Sequence, residues 1–184
     1  PEDRVYAALN RAEDEILNAA TGAVILRPCM IYGYPGDGNM SRLMNAMRRS
    51  PIIPLPGGGK ALQQPVYYED LAEIAVRTLL DEAQDERLYA VAGPQPITQR
   101  ALYRSVAEAI GAKPAVIPAP VNLLAPVINA LQKAGIAAPV SAAQLRRARW
   151  DKTPRNAPVL NGETPFETGV RSLAAALDGD GRGA

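Results

Sequence analysis

One short apolar run, Ala23 to Leu26, constrains the fold of this chain more than any other feature. It lies between helical patterns over residues 4–20 and 40–50, and it ends at the pair Arg27-Pro28. Continuous apolar runs of this length are typical of strands buried on both faces of a parallel sheet. Because such strands alternate with helices, we predict an α/β fold with a mainly parallel sheet.

The same alternation continues along the chain. Further strands are predicted at 52–55, 64–68, 87–92 and 115–117, and further helices at 70–80, 98–110, 121–133, 141–150 and 164–177. Asp70 and Glu73 have the spacing of a capping box, which predicts that Asp70 caps its helix. Met40, Met44 and Met47 have helical spacing and are expected in the core.

The domain organisation follows from this pattern. Residues 1–112 are expected to form the strands and helices of the sheet domain, with a loop insert over about 34–66. Residues 113–177 are expected to form a smaller, mainly helical lobe, and 178–184 a disordered tail.

Composition removes several classes of site. The 184 residues include no histidine, which excludes Ser-His-Asp and Cys-His catalysis and His-ligated metals. Cys29 is the single cysteine, so the chain forms no internal disulfide and no thiolate cage, as suits a cytoplasmic protein. A net charge of +1 supplies no field for nucleic acid or an acidic membrane. We therefore expect no metal, nucleic-acid or membrane partner.

Two segments could contradict that expectation. Residues 114–132 carry no charge and approach the length of a membrane span, but their prolines and asparagines would be unsatisfied in lipid. We predict a buried strand followed by a helix there. The basic residues from Arg146 to Arg155 surround Trp150, and we interpret them as a solvated helix face with one packed tryptophan.

Two glycine-rich loops are candidates for binding phosphate. The loop from Gly33 to Gly38 follows a predicted strand and precedes a predicted helix, which is the right context. Its glycine spacing is irregular, however, and Pro35 stands where a backbone amide should face the phosphate. The run from Gly57 to Lys60 lacks the Ser/Thr and the upstream glycine of a Walker loop. We interpret both as turns.

Three segments together resemble the extended and atypical short-chain dehydrogenase/reductase superfamily, specifically its NAD-dependent epimerase/dehydratase group. They are AVILRPCMIYGYPGDGNM (23–40), PLPGGG (54–59) and QQPVYYEDLAEIA (63–75). NRAEDEIL (10–17) resembles the family's Tyr-x-x-x-Lys-x-x-x-Glu helix, and TPFETGVRSLAAAL (164–177) resembles its closing helix. The resemblance implies the C-terminal part of a Rossmann-like sheet with a small helical substrate lobe. The Gly-rich cofactor-binding half would then be expected before Pro1.

The resemblance also implies a cofactor, NAD or NADP, with a site that is incomplete in this chain. The positions matching the loop along the nicotinamide half are Arg27, Pro28, Cys29, Met30 and Ile31. Asn39 and Gln64 are expected to face the substrate cleft. Many nucleotide-sugar enzymes of the family have Asn where Met30 stands, so we expect a small and more apolar substrate.

The residues that correspond most nearly to the family's catalytic tyrosine and lysine are Tyr6 and Arg11, but Tyr6 lies one residue before the matching position. Aligning Glu15 with the family's glutamate puts Arg11 at the lysine position and Ala7 at the tyrosine position. Four residues turn a regular helix about 400° and five about 500°, so Tyr6 and Arg11 would lie about 140° apart. Arginine also presents a planar fork that differs from the lysine ammonium. Either the helix start is distorted, or dehydrogenase chemistry is weak or absent.

Three hypotheses follow from these observations. The first is an NAD(P)-dependent oxidoreductase or epimerase of the short-chain dehydrogenase type. The second is a catalytically inactive NAD(P)-binding, assembly or RNA-associated protein with the same fold. The third is a chain that does not fold alone, because its sheet edges lack partner strands. Homo-oligomerisation and the choice between NAD and NADP stay open.

Overall fold

The computed structural model describes residues 2–19, 22–81, 87–120 and 150–180. The helices are α1 (Glu2–Ala19), α2 (Met40–Arg49), α3 (Tyr68–Leu80), α4 (Gln99–Ala109) and α5 (Phe166–Asp180). The strands are β1 (Ile25–Pro28), β2 (Ile31–Tyr32), β3 (Ile52–Pro56), β4 (Leu62–Gln63), β5 (Val66–Tyr67), β6 (Leu88–Ala92), β7 (Ile97–Thr98), β8 (Ala115–Ala119) and β9 (Val159–Asn161).

The main sheet consists of three parallel strands in the order β1-β6-β9. β1 pairs with β6 from Ile25–Leu88 to Pro28–Val91. Parallel neighbours require a crossover connection, and α3 lies within the one from β1 to β6. The carboxyl ends of the three strands therefore meet at one side of the sheet, which we call the carboxyl edge.

Three smaller strand pairs surround this sheet. β2 pairs with β5 and β3 pairs with β8, both in parallel, whereas β4 and β7 are antiparallel. The predicted α/β fold with mainly parallel strands is thus confirmed. Within the described ranges, no helix has the length and apolar character that a membrane span requires.

The core has two parts. In the larger one, the Tyr32 ring contacts those of Tyr67 and Phe166, at centroid distances of 5.7 and 5.0 Å. The methionines of α2 pack there, as their spacing predicts. In the smaller one, Ile74 of α3 packs on the main sheet beside Val66 and Val91. The α3 helix is thereby fixed next to the carboxyl edge.

The predicted burial of the first strand is wrong. β1 starts at Ile25, where the run from Ala23 was expected to begin the strand. Ile25 and Leu26 are half-buried, and Arg27 and Pro28 are exposed. The physical reason is position: in the described part of the chain, β1 is an edge strand with β6 on one side alone.

Several elements were not predicted or fall elsewhere. β9 extends the main sheet, although its three residues carry too little pattern to identify a strand. The helix predicted at 121–133 and residues 141–149 of the helix predicted at 141–150 lie outside the described residues, and the proposed lobe stays a prediction. Trp150 is 64% exposed, so its predicted packing is wrong. Of the tail predicted to be disordered over 178–184, residues 178–180 continue α5, and Asp178 pairs with Arg48 at 2.5 Å. Residues 181–184 lie outside the described residues.

Asp70 is not a helix cap. α3 begins at Tyr68, and its N-cap residue, Tyr67, makes no side-chain cap. The Asp70 carboxylate instead accepts hydrogen bonds from Thr164, at 2.9 Å from the backbone nitrogen and 2.7 Å from the hydroxyl. This double contact joins the first turn of α3 to the segment that precedes α5.

In the loop from Gly33 to Gly38, the Asp37 side chain takes the position that a bound anion would occupy. Asp37 is 3% exposed, and its carboxylate accepts hydrogen bonds from the backbone N–H groups of Asn39, Met40 and Ser41 at 2.9, 2.6 and 3.1 Å. A fourth N–H, from Gly33, lies at 3.3 Å. Because Asp37 occupies the amides at the start of α2, a phosphate has no place there, and the interpretation as a turn is confirmed.

The second glycine run is a turn as well. Gly57–Gly59 forms a short 3-10 helix after β3, and the Gly58 carbonyl accepts a hydrogen bond from Arg100 of α4 at 3.0 Å.

Removing the Asp37 carboxylate tests this account of the loop. We expect Asp37→Ala to lower the free energy of unfolding by about 2 kcal/mol or more, because four backbone donors lose a charged acceptor. Chemical denaturation followed by circular dichroism measures the change. The control Glu108→Ala, at an exposed position of α4, should change stability by less than about 0.5 kcal/mol. Equal effects of the two variants would contradict the assignment.

Candidate functional site

A short segment from Gln64 to Val66 crosses the carboxyl edge. Val66 N–H donates to the Met30 carbonyl at 3.0 Å, just beyond β1, and Gly93 N–H donates to the Gln64 carbonyl at 3.4 Å, just beyond β6. Cys29 N–H continues the β1 ladder by donating to the Val91 carbonyl at 2.7 Å. The segment therefore covers the space between the ends of β1 and β6 and leaves the outer side of β1 uncovered by any described strand.

Gln64, predicted to face the substrate cleft, is engaged at this edge. Its side-chain nitrogen donates to the Gly93 carbonyl at 2.8 Å and to Asn161 Oδ1 at 3.3 Å. Gln64 thus links the crossing segment to the ends of β6 and β9, and both donor hydrogens of its amide have protein partners.

Gly93 makes the crossing possible. A Cβ at this position would overlap the backbone carbonyl oxygen of Pro65. Only glycine lets two main chains approach so closely. The sequence signal for this contact is the pair Gly93-Pro94 directly after the apolar run of β6.

Arg27, predicted to contact the cofactor, is bound by the protein itself. Its guanidinium donates to both carboxylate oxygens of Glu13 on α1, with Nε at 3.1 Å from each and a further short contact from Nη2. These hydrogen bonds lower the pKa of Glu13 and raise that of Arg27. The Arg27 side chain is exposed, and that of Glu13 is half-buried. The ion pair attaches α1 to the end of β1.

The next four predicted cofactor residues form an apolar corner. Pro28 is exposed, and Cys29, Met30 and Ile31 are half-buried. Met30 packs against the larger core part and Ile31 against the smaller. Burial raises the pKa of the Cys29 thiol, so this group stays neutral at ordinary pH. The corner consists of uncharged surface at the carboxyl end of β1.

Tyr6 and Arg11 do not come together. α1 is a continuous helix from Glu2 to Ala19, which removes the alternative of a distorted start. Tyr6 lies seven residues before Glu13, about 20° away around the helix, whereas Arg11 lies about 160° from Glu13. Tyr6 is thus on the face that carries the contact with β1. Arg11 is exposed and donates to the Ala7 carbonyl of its own helix at 3.3 Å.

A second contact fixes the orientation of α1. Arg87, which precedes β6, donates to the Leu17 carbonyl at 2.7 Å and to the Ala23 carbonyl at 3.1 Å. Glu13 and Leu17 are one helical turn apart, so both arginines hold the same side of α1.

Asn39 lies apart from this corner. It is the exposed residue before α2, and its backbone N–H binds Asp37. Its placement gives no contact to the corner among the described residues, and its substrate role stays a prediction. In the described ranges, no cluster of carboxylates and cysteine is arranged to hold a metal.

The fold is similar to those of solved NAD-dependent epimerases and dehydratases, which confirms the predicted resemblance at the level of the fold. UDP-glucose 4-epimerase of Thermus thermophilus, solved with NAD, is 21% identical, and the alignment covers 94% of this chain and 52% of that one with a TM-score of 0.57. RMD from Pseudomonas aeruginosa, complexed with NADPH, is 14% identical over 90% of this chain and 51% of that one, with a TM-score of 0.53.

The curated proteins include a relative that is named as a subunit of an NADH dehydrogenase. NADH dehydrogenase [ubiquinone] 1 alpha subcomplex subunit 9, mitochondrial, from Arabidopsis thaliana is 32% identical over 100 residues. The match covers 54% of this chain and 25% of that protein, so the chain spans about a quarter of the relative and about half of the solved structures. No family model matches the chain.

The close approach at Gly93 gives a direct test of the site. We expect Gly93→Ala to destabilise the protein by about 2 kcal/mol or more, because a methyl group would push the crossing segment off the edge. Thermal and chemical unfolding measure this change. Gly38→Ala is the matched control, since a Cβ there meets no atom within 4 Å. Equal stability of the two variants would show that the crossing is wrongly placed.

The ion pair of Glu13 predicts a small pH effect. Since its folded pKa is depressed, its contribution is present above the unfolded value of 4.5 and is lost as pH falls through the folded pKa. Solvent screening keeps the contribution below about 1 kcal/mol. We expect amides of α1 to exchange faster in acid than the rest of the protein, and Glu13→Gln to remove this difference. An unchanged pH profile in Glu13→Gln would contradict the role.

Proposed function

We propose that this chain is part of an NAD(P)-binding protein in which the corner after β1 receives the nicotinamide end of the cofactor, and in which α1 carries no Tyr–cation dehydrogenase pair. The absence of a Tyr–cation pair is proposed because α1 is a regular helix, on which Tyr6 and Arg11 lie about 140° apart. The role is then binding or assembly without dehydrogenase turnover.

The residues of the corner fit the nicotinamide end. Ligands of open α/β sheets bind outside the carboxyl ends of the strands, and Pro28, Cys29 and Met30 supply uncharged surface there. A nicotinamide ring has flat apolar faces and would pack on such a surface. When bound, the cofactor itself would supply hydride chemistry, while these residues orient the ring and exclude water.

The described residues include no comparable binding site for the diphosphate half of the cofactor. The amides before α2 are occupied by the Asp37 carboxylate, and Arg27 is occupied by Glu13. Groups that hold the diphosphate would therefore come from outside the described residues. This matches a chain that spans about half of the solved structures it resembles.

We propose a small apolar molecule as the partner and the cytoplasm as the compartment. Met30 lines the corner with a thioether, which favours an apolar group over a sugar hydroxyl. A single cysteine favours the cytoplasm. The plant relative is mitochondrial by name, and that compartment is the alternative.

Oxidoreductase or epimerase activity is the second candidate. It is favoured by Tyr6, which is 52% exposed on the same face of α1 as Glu13. The phenol would then act as the acid or base with a cation other than Arg11.

Cofactor binding and turnover are tested separately. We expect millimolar NADH or NADPH to raise the unfolding temperature, because ligand that binds only the folded state stabilises it. Pro28→Glu should weaken binding about tenfold by placing a carboxylate at the corner beside an anionic ligand. Pro54→Glu, at an exposed proline of β3, should bind as the unmodified protein does.

Two results would overturn the proposal. The absence of stabilisation by either cofactor would remove the binding role. Oxidation or reduction of the cofactor that is lost in Tyr6→Phe would instead establish the second candidate.

A further inference from the structure

The side of α3 that faces the sheet becomes polar in the second half of the helix. Ile74, which packs on the main sheet, is followed on the same side by Arg77, Thr78 and Asp81. These four positions have the spacing i, i+3, i+4, i+7 and lie within about 100° of one another around the helix axis. Positions of this kind normally carry apolar side chains that fill the space between a helix and the core. The end of α3 therefore faces the sheet with polar and charged groups.

A groove of about 330 Å³ lies between this polar side of α3 and the strands β6 and β9. We call it the α3–β9 groove. Tyr89, Val159 and Leu160 line it from the sheet. Leu160 is the register partner of Val91, and Tyr89 precedes Val91 by two residues, so both side chains lie on the face of the sheet that α3 covers. The volume is in the range of small-molecule sites.

The sheet side of the α3–β9 groove is apolar and open to solvent. Tyr89 and Leu160 are half-buried. Val159 is 40% exposed, because β9 is an edge strand in the described part of the chain. A ligand with an apolar group would therefore gain free energy by covering these three residues.

Two opposite charges line the helix side of the groove. Arg77 and Asp81 are one helical turn apart, and both are exposed. Arg77 forms no ion pair among the described residues, with Asp81 or with any other acid, so its guanidinium is available to a ligand. Asp81 is the extended C-cap residue of α3 and has a contact within the protein. A carboxylate has several acceptor positions, so Asp81 can bind a further donor.

We propose that the α3–β9 groove binds a free α-amino acid with an apolar side chain. The carboxylate of the ligand binds Arg77, whose guanidinium suits two parallel hydrogen bonds to a carboxylate. The ammonium group donates to Asp81, and the apolar side chain covers Tyr89 and Leu160. A simple anion or a simple cation fits less well, because each would meet one like charge in the groove.

The α3–β9 groove is separate from the corner after β1. The two sites share no residue, and β6 lies between the strands that carry them. This proposal and the proposal of cofactor binding can therefore fail independently of each other.

Isothermal titration calorimetry with L-leucine and L-phenylalanine at neutral pH tests the proposal. We expect both to bind at millimolar concentration, and glycine to bind about tenfold more weakly, because it has no side chain to cover the apolar surface. Two analogues examine the charges of leucine: leucinamide lacks the carboxylate, and 4-methylpentanoate lacks the ammonium group. Each should bind about tenfold more weakly than leucine, since it loses a charge-assisted hydrogen bond.

Two variants assign each charge of the ligand to a residue. Arg77→Gln should weaken leucine binding about tenfold and should bind leucine and leucinamide alike, because no cation remains for the carboxylate. Asp81→Asn should weaken leucine binding to a similar extent and should bind leucine and 4-methylpentanoate alike. Both residues are exposed, so the variants should keep the circular dichroism spectrum of the unmodified protein. Arg104→Gln and Glu108→Gln, an exposed pair one turn apart on α4, are the matched controls and should leave leucine binding unchanged.

The outcomes decide for or against the groove. The absence of binding by both leucine and phenylalanine would overturn the proposal. Equal binding of leucine and either analogue by the unmodified protein would also overturn it, because one charge of the groove would then have no role. Leucine binding that neither Arg77→Gln nor Asp81→Asn weakens would place the amino acid elsewhere on the protein and reject the groove.

Discussion

The contact between Gly93 and the Pro65 carbonyl is the constraint on which the rest of the site depends. It lets the segment from Gln64 to Val66 lie across the carboxyl edge, where it bonds to Met30 beyond β1 and to Gly93 beyond β6. Any side chain at residue 93 would separate the two main chains. The crossing segment then leads directly into β5 and α3, so the position of α3 over the sheet follows from the same contact.

Three carboxylates within the segments that resemble the family are used inside the molecule. Asp37 binds the amides that begin α2, Asp70 binds Thr164, and Glu13 binds Arg27. Each takes up a donor that an anionic ligand would otherwise use. What remains at the corner after β1 is uncharged, and this favours contact with a ring over contact with a phosphate.

The alternation of strands and helices could be read from the sequence because apolar runs and glycine stops are local signals. The two-residue strands β2, β4 and β7 carry no such pattern, whereas β5 falls within the strand predicted at 64–68. β9 becomes a strand only through pairing with β6. The apolar character of the corner was likewise predictable from Pro28 to Ile31. The engagement of Arg27 by Glu13 was not, because it joins residues of two elements whose relative placement no spacing rule gives.

The attachment of α1 has a consequence for redesign. Arg27 and Arg87 hold Glu13 and Leu17 on one side of the helix, so α1 is fixed against rotation about its own axis. Residues 7 and 11 lie about 120° and 160° from Glu13 around that axis. Engineering the family's tyrosine and lysine into those two positions would therefore aim both side chains away from β1. To direct this pair toward β1, the whole of α1 would have to rotate about its axis. That rotation would break the contacts of Arg27 and Arg87 with the helix.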